Sequence, residues 1–190
     1  FLGICLGLQT LLTHSEESGG TAGFDWIAGT VRRFTEPLIA PDTGERLKIP
    51  HMGWNQVEQT QSHPLWKGID DNSRFYFVHS YHYICQDQSY MIASCHYGQE
   101  FSAVIGRGHI YGVQFHPEKS GNAGITLLNN FIRSPREQIT LSHVSNETRL
   151  AKRIIACLDV RSNDQGDLVV TKGDQYDVRE DGNVRNLGKP

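Results

Sequence analysis

Cys5, His116 and Glu118 are the side chains whose types and spacing could perform nucleophilic catalysis. Gly3 and Gly7 stand two positions before and after Cys5, between an apolar run and a helix-like repeat. Glycines at this spacing are typical of a nucleophile elbow, a sharp strand-to-helix turn with a strained backbone at the nucleophile. His116 and Glu118 lie two residues apart after a predicted strand, so both would face the same side. They could supply a base for the thiol and a carboxylate that orients the base.

Each motif also has an interpretation without catalysis. A free cysteine at a glycine-rich strand end can be buried and inert, and an H-P-E triplet can be a surface turn. The catalytic interpretation gains weight because both motifs occur in one domain. At a helix N-terminus, the helix dipole and the free N–H groups would also favour the Cys5 thiolate.

Hydrophobic patterns predict the elements that must position these residues. Leu6, Leu8, Leu11 and Leu12 predict a short helix after Cys5, followed by a polar loop. A one-turn helix is predicted near Pro64, and a longer helix after Gly121 has apolar positions at Ile125, Leu128, Phe131 and Ile132. Strands are predicted at 26–34, 48–57 (irregular, at an edge), 74–84 and 91–95, with a hairpin across 106–108.

The character of the chain changes after residue 133. Residues 134–149 are polar and include Pro135, which suits a linker between a domain at 1–133 and a segment at 150–190. The apolar run 154–158 predicts a strand buried on both faces, as in parallel sheets, and it ends at Asp159. A second apolar run, 168–170, precedes a predicted loop that contains Lys172.

Composition excludes several classes of function. The 190 residues are 38% apolar with a net charge of −3, which argues against broad binding of nucleic acid or anionic membranes. The cysteines at 5, 85, 95 and 157 form no C-x-x-C pair, so we expect neither a zinc knuckle nor a disulfide scaffold. Cys85, Cys95 and Cys157 are interpreted as packing residues. Because Phe1 lies inside a predicted strand, we expect this stretch to be a fragment of a longer chain.

The motifs G-I-C-L-G-L-Q at 3–9 and Q-F-H-P-E at 114–118 resemble the class I glutamine amidotransferases. The resemblance implies an α/β domain, a mixed sheet with flanking helices, whose first strands would precede Phe1. It implies that Cys5 attacks the side-chain amide of glutamine, with His116 as base and then acid and Glu118 orienting it. The matching positions for glutamine contacts are Gln9, Ser80 and Tyr81, and for an oxyanion donor the backbone N–H of Leu6.

Three further motifs, at 50–55, 76–81 and 116–121, look like those of the imidazole glycerol phosphate synthase family. Residues 150–160 are similar to the first strand of that family's cyclase, a (β/α)8 barrel, so the chain resembles the fused, bifunctional form. The resemblance places Trp54, Asn55 and Lys119 at the face toward the cyclase and Arg153 at a gate for ammonia. It assigns acid–base work in ring closure to Asp159 and a contact with phosphorylated substrate to Lys172.

This resemblance implies glutamine hydrolysis that delivers ammonia to the cyclase domain on the same chain. The second substrate would be phosphoribulosyl-formimino aminoimidazole carboxamide ribonucleotide, in a step of histidine synthesis that needs no metal or organic cofactor. We expect a cytoplasmic protein, or a plastid one if a transit peptide preceded Phe1, and we expect residues 1–190 to be inactive alone. The alternatives are another class I amidotransferase, which would feed a nucleotide or anthranilate synthase, and a non-catalytic scaffold with the same fold.

Overall fold

A computed structural model describes residues 1–133 and, beyond them, the backbone of 154–155, 160–162, 168–174 and 177–183. The chain divides into two compact units, residues 1–155 and 156–190. The described helices are α1 (Leu6–Gln9) and α2 (Gly121–Arg133), with 3-10 turns at Glu17–Gly19, Pro64–Trp66, Gln88–Tyr90 and Pro117–Lys119. The described strands are β1 (Leu2–Ile4), β2 (Leu12–Ser15), β3 (Thr21–Ala22), β4 (Ile27–Arg33), β5 (His51–Gln56), β6 (Glu58–Gln59), β7 (Arg74–His79), β8 (Tyr81–His82), β9 (Met91–His96), β10 (Glu100–Arg107), β11 (Ile110–Val113), β12 (Ile154–Ile155), β13 (Val160–Ser162), β14 (Leu168–Asp174) and β15 (Asp177–Asn183).

The first unit is built on a mixed six-stranded sheet in the order β12-β1-β11-β10-β9-β6. Strand β1 pairs in parallel with both β11 and β12, while β10 pairs antiparallel with β9 and β11. The predicted hairpin across 106–108 is therefore confirmed, and Gly108 has the positive φ of 60° that tight hairpin turns need. Ala103, Val104 and Ile105 in β10 are fully buried, so both faces of this sheet are covered.

Two smaller sheets complete the first unit. One has the order β3-β2-β4-β8, and the other is an antiparallel ladder of β5 and β7. In β7, Phe75, Phe77 and His79 are buried while the residues between them are half-buried, which is the period-two alternation of a strand with one covered face. The ladder therefore turns one face to an aromatic core and leaves the other face accessible.

Helix α2 was predicted and is confirmed, but its buried face differs from the prediction. Gly124, Leu127 and Phe131 are buried, whereas Ile125 and Ile132 are each 56% exposed. The reason is a close approach that only glycine allows: a Cβ on Gly124 would lie 1.9 Å from the carbonyl oxygen of Pro117. This contact rotates the helix so that residues 124, 127 and 131 face the core.

The helix predicted after Cys5 is shorter than expected. It ends at Gln9, and Leu12 begins β2, which pairs in parallel with β4. Leu11 and Leu12 are fully buried all the same. A short apolar run suits a buried helix and a buried strand equally, so only the partner strand decided between them.

The second unit contains a three-stranded antiparallel sheet, β13-β14-β15. Lys172 lies in β14 opposite Arg179, not in a loop as predicted, because the run of β-branched residues that starts before it continues as a strand that pairs with β15. The strand predicted at 154–158 is described only over β12, which pairs with β1 in the first unit. Arg153 and Asp159 lie outside the described residues. Neither described helix is long and apolar enough to cross a membrane.

Candidate active site

The parallel pairing of β1 with β11 brings the two sequence motifs together. Gly3 lies opposite Gly112 and Ile4 opposite Val113, so Cys5 and Gln114 follow the two strands at the same edge of the sheet. The backbone N–H of Cys5 continues this pairing with a 2.7 Å bond to the carbonyl of Val113. Carboxyl ends of adjacent parallel strands meet at one edge, which is why residues distant in sequence become neighbours here.

Cys5 occupies a strained turn. Its φ is 52° and its ψ is −107°, a conformation that L-residues rarely adopt, and α1 begins at the next residue. A Cβ on Gly3 would lie 2.2 Å from the carbonyl oxygen of Gly7, so the chain folds back too tightly for a side chain there. This geometry is that of the elbow expected from the glycine spacing.

His116 is held by bonds to its ring and to its backbone. Its Nδ1 lies 2.6 Å from Oε1 of Glu118. Its backbone N–H donates to the carbonyl of Tyr76 at 2.8 Å, and the hydroxyl of Ser120 donates to the His116 carbonyl at 2.6 Å. Ser120 Oγ also accepts from the N–H of Tyr76, at 3.0 Å. Strand β7 thus fixes the segment that carries the imidazole.

The charges of this group favour an imidazolium beside the thiol. Burial lowers the pKa of His116, but its contacts with Cys5 and Glu118 outweigh burial and raise that pKa to about 9. Burial raises the pKa of Glu118, but the hydrogen bond and charge of His116 lower it by more, so the pKa of Glu118 is lowered overall. Among the described residues, Nε2 of His116 is buried and has no partner in hydrogen-bond geometry. Since Nδ1 is bound by Glu118, Nε2 is the ring atom available to Cys5.

Two buried amides belong to the site, and only one of them was predicted. Gln9 was expected as a glutamine contact, and its Nε2 donates to the carbonyl of Tyr81 and to Oε1 of Gln114, both at 3.2 Å. Nε2 of Gln114 in turn donates to Cys5 Sγ at 3.6 Å. Gln114 is fully buried and was not singled out from the sequence. The signal was its position two residues before His116, which is the spacing of one strand face.

Of the residues expected at the cyclase face, the structure brings two together. Trp54 is 51% exposed and meets the ring of Tyr76 edge-on at 6.0 Å, and Lys119 Nζ lies 6.0 Å from the same ring. Asn55 faces the other side of β5, because successive strand residues alternate, and its Nδ2 donates to the carbonyl of His96 at 2.9 Å. A cleft of about 460 Å³ runs along β5 and is lined by both Trp54 and Asn55, together with His51 and Tyr97, but not by Cys5.

The remaining expected residues lie as follows. Ser80 is half-buried between β7 and β8, and its carbonyl accepts from the N–H of Phe34 at 3.1 Å. Leu6 is the first residue of α1 with a side chain 44% exposed. No group of three or more His, Cys, Asp or Glu side chains that could hold a metal occurs in the described part of the chain.

This arrangement can carry out acyl transfer. A thiolate beside a protonated imidazole can add to a carbonyl carbon, and the imidazolium can then protonate the leaving group. The carboxylate on the opposite ring nitrogen keeps the imidazole in one orientation. The neighbouring amides can hydrogen-bond a polar substrate.

Comparison with known proteins supports the same chemistry. Residues 1–134 match the family model of class I glutamine amidotransferases. The chain is 47% identical over its whole length to the chloroplastic imidazole glycerol phosphate synthase hisHF of Arabidopsis thaliana, of which it covers 32%, and 41% identical to hisHF of Emericella nidulans, of which it covers 36%. Over 70% of the chain it is 53% identical to the imidazole glycerol phosphate synthase subunit HisH of Chromobacterium violaceum, of which it covers 61%. The chain thus spans about a third to three fifths of these relatives, and it belongs to the class I glutamine amidotransferase family.

Proposed function

We propose that the chain is the glutamine-hydrolysing part of an imidazole glycerol phosphate synthase. The observation that carries the proposal is the joint geometry of a strained Cys5 and a half-buried His116 whose Nδ1 is bound by Glu118 at 2.6 Å. The names of the relatives support the identity of the synthase, since both hisHF proteins match the chain over its full length.

In the proposed reaction, the Cys5 thiolate adds to the side-chain amide carbon of glutamine. Backbone N–H groups, including that of Leu6, stabilise the oxyanion. The imidazolium of His116 protonates the leaving nitrogen, which departs as ammonia and leaves a glutamyl thioester. His116, now neutral, takes a proton from water, which adds to the thioester and releases glutamate and the thiolate. Glu118 keeps the imidazole oriented throughout.

Glutamine would be held next to Cys5 by Gln9, Ser80 and Tyr81. The hydrogen bonds that link Gln9 to Tyr81 and to Gln114 support this placement, because Gln114 also contacts the Cys5 thiol.

The cyclase partner is a proposal in its own right. Residues 1–133 would form the glutaminase, 134–149 the linker and 150–190 the start of the (β/α)8 barrel. Trp54, Asn55 and Lys119 would face that barrel, Arg153 would gate ammonia, and Asp159 and Lys172 would act on the phosphoribulosyl substrate. The full-length match to the two hisHF relatives supports this organisation. A direct passage would also keep ammonia unprotonated, since ammonium is not a nucleophile.

The place of action would be the plastid or the cytoplasm. The Arabidopsis relative is named as chloroplastic, which favours the plastid for a plant protein.

The test is glutamine hydrolysis by the full-length protein, measured with and without the cyclase substrate. Hydrolysis should rise with that substrate and vanish in Cys5→Ala, while added ammonia should still support ring closure. Cys95→Ala is the matched control, because Cys95 is a buried packing thiol, and it should keep hydrolysis. Hydrolysis that survives in Cys5→Ala, or that ignores the cyclase ligand, would contradict the nucleophile or the partner. A non-catalytic scaffold would leave Cys5 unmodified by a glutamine-like electrophile.

A further inference from the structure

A pair of buried histidines contacts the residues of the proposed glutamine site. His51 in β5 and His79 in β7 are opposite each other in the ladder, and His51 Nδ1 lies 3.0 Å from His79 Nε2. They are 2% and 6% exposed, and they pack among Phe77, Phe101 and Tyr97. The proposed reaction uses neither ring.

The hydrogen bonds of this pair can run in only one direction. His79 Nδ1 lies 2.8 Å from the carbonyl of Tyr81, and a carbonyl can only accept, so Nδ1 carries the proton. In a neutral ring Nε2 of His79 is then an acceptor, and Nδ1 of His51 must donate to it. His51 Nε2 is thus also an acceptor, and Nδ2 of Asn55 donates to it at 3.3 Å.

Every donor in this series of hydrogen bonds, which runs from Asn55 through His51 and His79 to Tyr81, is matched to one acceptor. The two hydrogens of Asn55 Nδ2 go to His51 and to the carbonyl of His96, and its Oδ1 accepts from the N–H of Gln56. This series of hydrogen bonds requires both histidine rings to be neutral, because a protonated ring has no acceptor nitrogen. Burial, reinforced by the charge of His79, lowers the pKa of His51 to about 3. Burial also lowers the pKa of His79 to about 4, and the nearby charges of His82 and His116 act in the same direction.

This series of hydrogen bonds ends at the proposed glutamine site. The carbonyl of Tyr81 receives His79 Nδ1 on one side and Nε2 of Gln9 on the other, at 3.2 Å. The second hydrogen of Gln9 Nε2 goes to Gln114. Both hydrogens of Gln9 are therefore used within the protein, and its Oε1 is the atom left to accept from a ligand. The amide or ammonium groups of glutamine are suitable donors.

We propose that His79 and His51 are positioning residues for glutamine. They fix the carbonyl of Tyr81, which sets the orientation of the Gln9 amide toward the substrate. The series of hydrogen bonds starts at Asn55, which lines the cleft, so it also connects that surface to the substrate site. This inference rests on the proposed glutaminase function for its kinetic consequences, whereas the proton positions it requires can be measured without any activity.

The kinetic test uses two variants of His79 in the full-length protein. His79→Phe keeps a ring in the aromatic core but removes both nitrogens. We expect the KM for glutamine to rise about tenfold, the equivalent of one lost hydrogen bond to a substrate-site group, with kcat changed less. His79→Asn restores a donor where Nδ1 stood and should recover most of the KM. A purely structural role would not distinguish the two variants in this way.

Tyr97→Phe is the matched control, since Tyr97 stacks on His51 but its hydroxyl donates elsewhere, to the carbonyl of Lys48. It should leave KM unchanged. The proposal is overturned if folded His79→Phe has the KM of the parent protein, or if His79→Asn binds glutamine no better than His79→Phe.

The second measurement is the nitrogen NMR spectrum of the histidine-labelled protein at pH 7. We expect both rings to be neutral with the proton on Nδ1, and His79→Phe need not fold for this result. A proton on Nε2 of either ring would overturn the proposal. If instead the parent shows no Cys5-dependent hydrolysis while both rings carry the expected proton, the proposed function fails and the hydrogen-bond chain stands.

Discussion

Replacing Glu118 by glutamine should remove the charge that keeps His116 protonated. The carboxylate lies 2.6 Å from His116 Nδ1, and the pKa of His116 is about 9 although burial alone lowers it. Glutamine can still accept a hydrogen bond but carries no charge. In Glu118→Gln we therefore expect the pKa of His116 to fall, so that the ring loses its proton at a lower pH than in the parent protein.

The size of the effect follows from the pKa and the exposure of the two side chains. Raising the pKa from 6.5 to about 9 corresponds to about 3 kcal/mol, shared between the contacts with Cys5 and Glu118. The side chain of His116 is 18% exposed, but that of Glu118 is 49% exposed, so water screens its share. We assign about 1–2 kcal/mol to Glu118, which is about a five- to thirtyfold change in rate.

The assay is alkylation of Cys5 by iodoacetamide between pH 6 and 10, followed by mass spectrometry; Cys85 and Cys95 are buried. At pH 7 the variant should react about tenfold more slowly than the parent protein, because without the charge of Glu118 the His116 imidazolium beside Cys5 is less stable. The two rates should converge at pH 10. The value of kcat/KM for glutamine should fall at least as much. The control is Glu45→Gln, which removes the charge of a carboxylate in an exposed loop. Equal rates at pH 7, or a difference that persists at pH 10, would refute the reasoning.

Two further predictions concern stability. Gly124→Ala should destabilise the protein by about 1–3 kcal/mol and impair glutamine hydrolysis, because its Cβ would lie 1.9 Å from the backbone of Pro117, between His116 and Glu118. Urea unfolding should show no such loss for Asn122→Ala, a change at an exposed position of the same helix. The buried histidines 51, 79 and 82 have pKa values lowered to about 3, 4 and 4, so below pH 6.5 the unfolded state binds protons that the native state does not. The free energy of unfolding should therefore fall as pH drops from 6.5 toward 4, by about 1.4 kcal/mol per pH unit for each histidine. His51→Phe should flatten that slope, and an unchanged slope would show that His51 is already charged in the native protein.

Most of the correct structural predictions came from local sequence patterns. The glycine spacing around Cys5 and the periodicity after Gly121 each lie within a few residues, and each produced the expected turn or helix. The H-P-E triplet was predicted as an extended segment but forms the 3-10 turn Pro117–Lys119, which still places Glu118 Oε1 2.6 Å from His116 Nδ1. Where a pattern suited two structures, prediction failed. Leu11 and Leu12 fit a helix as well as a buried strand, and the choice depended on β4, which follows much later in the chain.

The types and order of the chemical groups were determined by the sequence alone: a thiol in a glycine-bounded turn, then an imidazole and, two residues later, a carboxylate. Tertiary structure alone decided which further groups join them. Gln9 meets Gln114 only because β1 pairs with β11, and His51 meets His79 only because of the register of β5 with β7. Such contacts depend on long-range strand pairing and burial, and neither is encoded in the local spacing of residues.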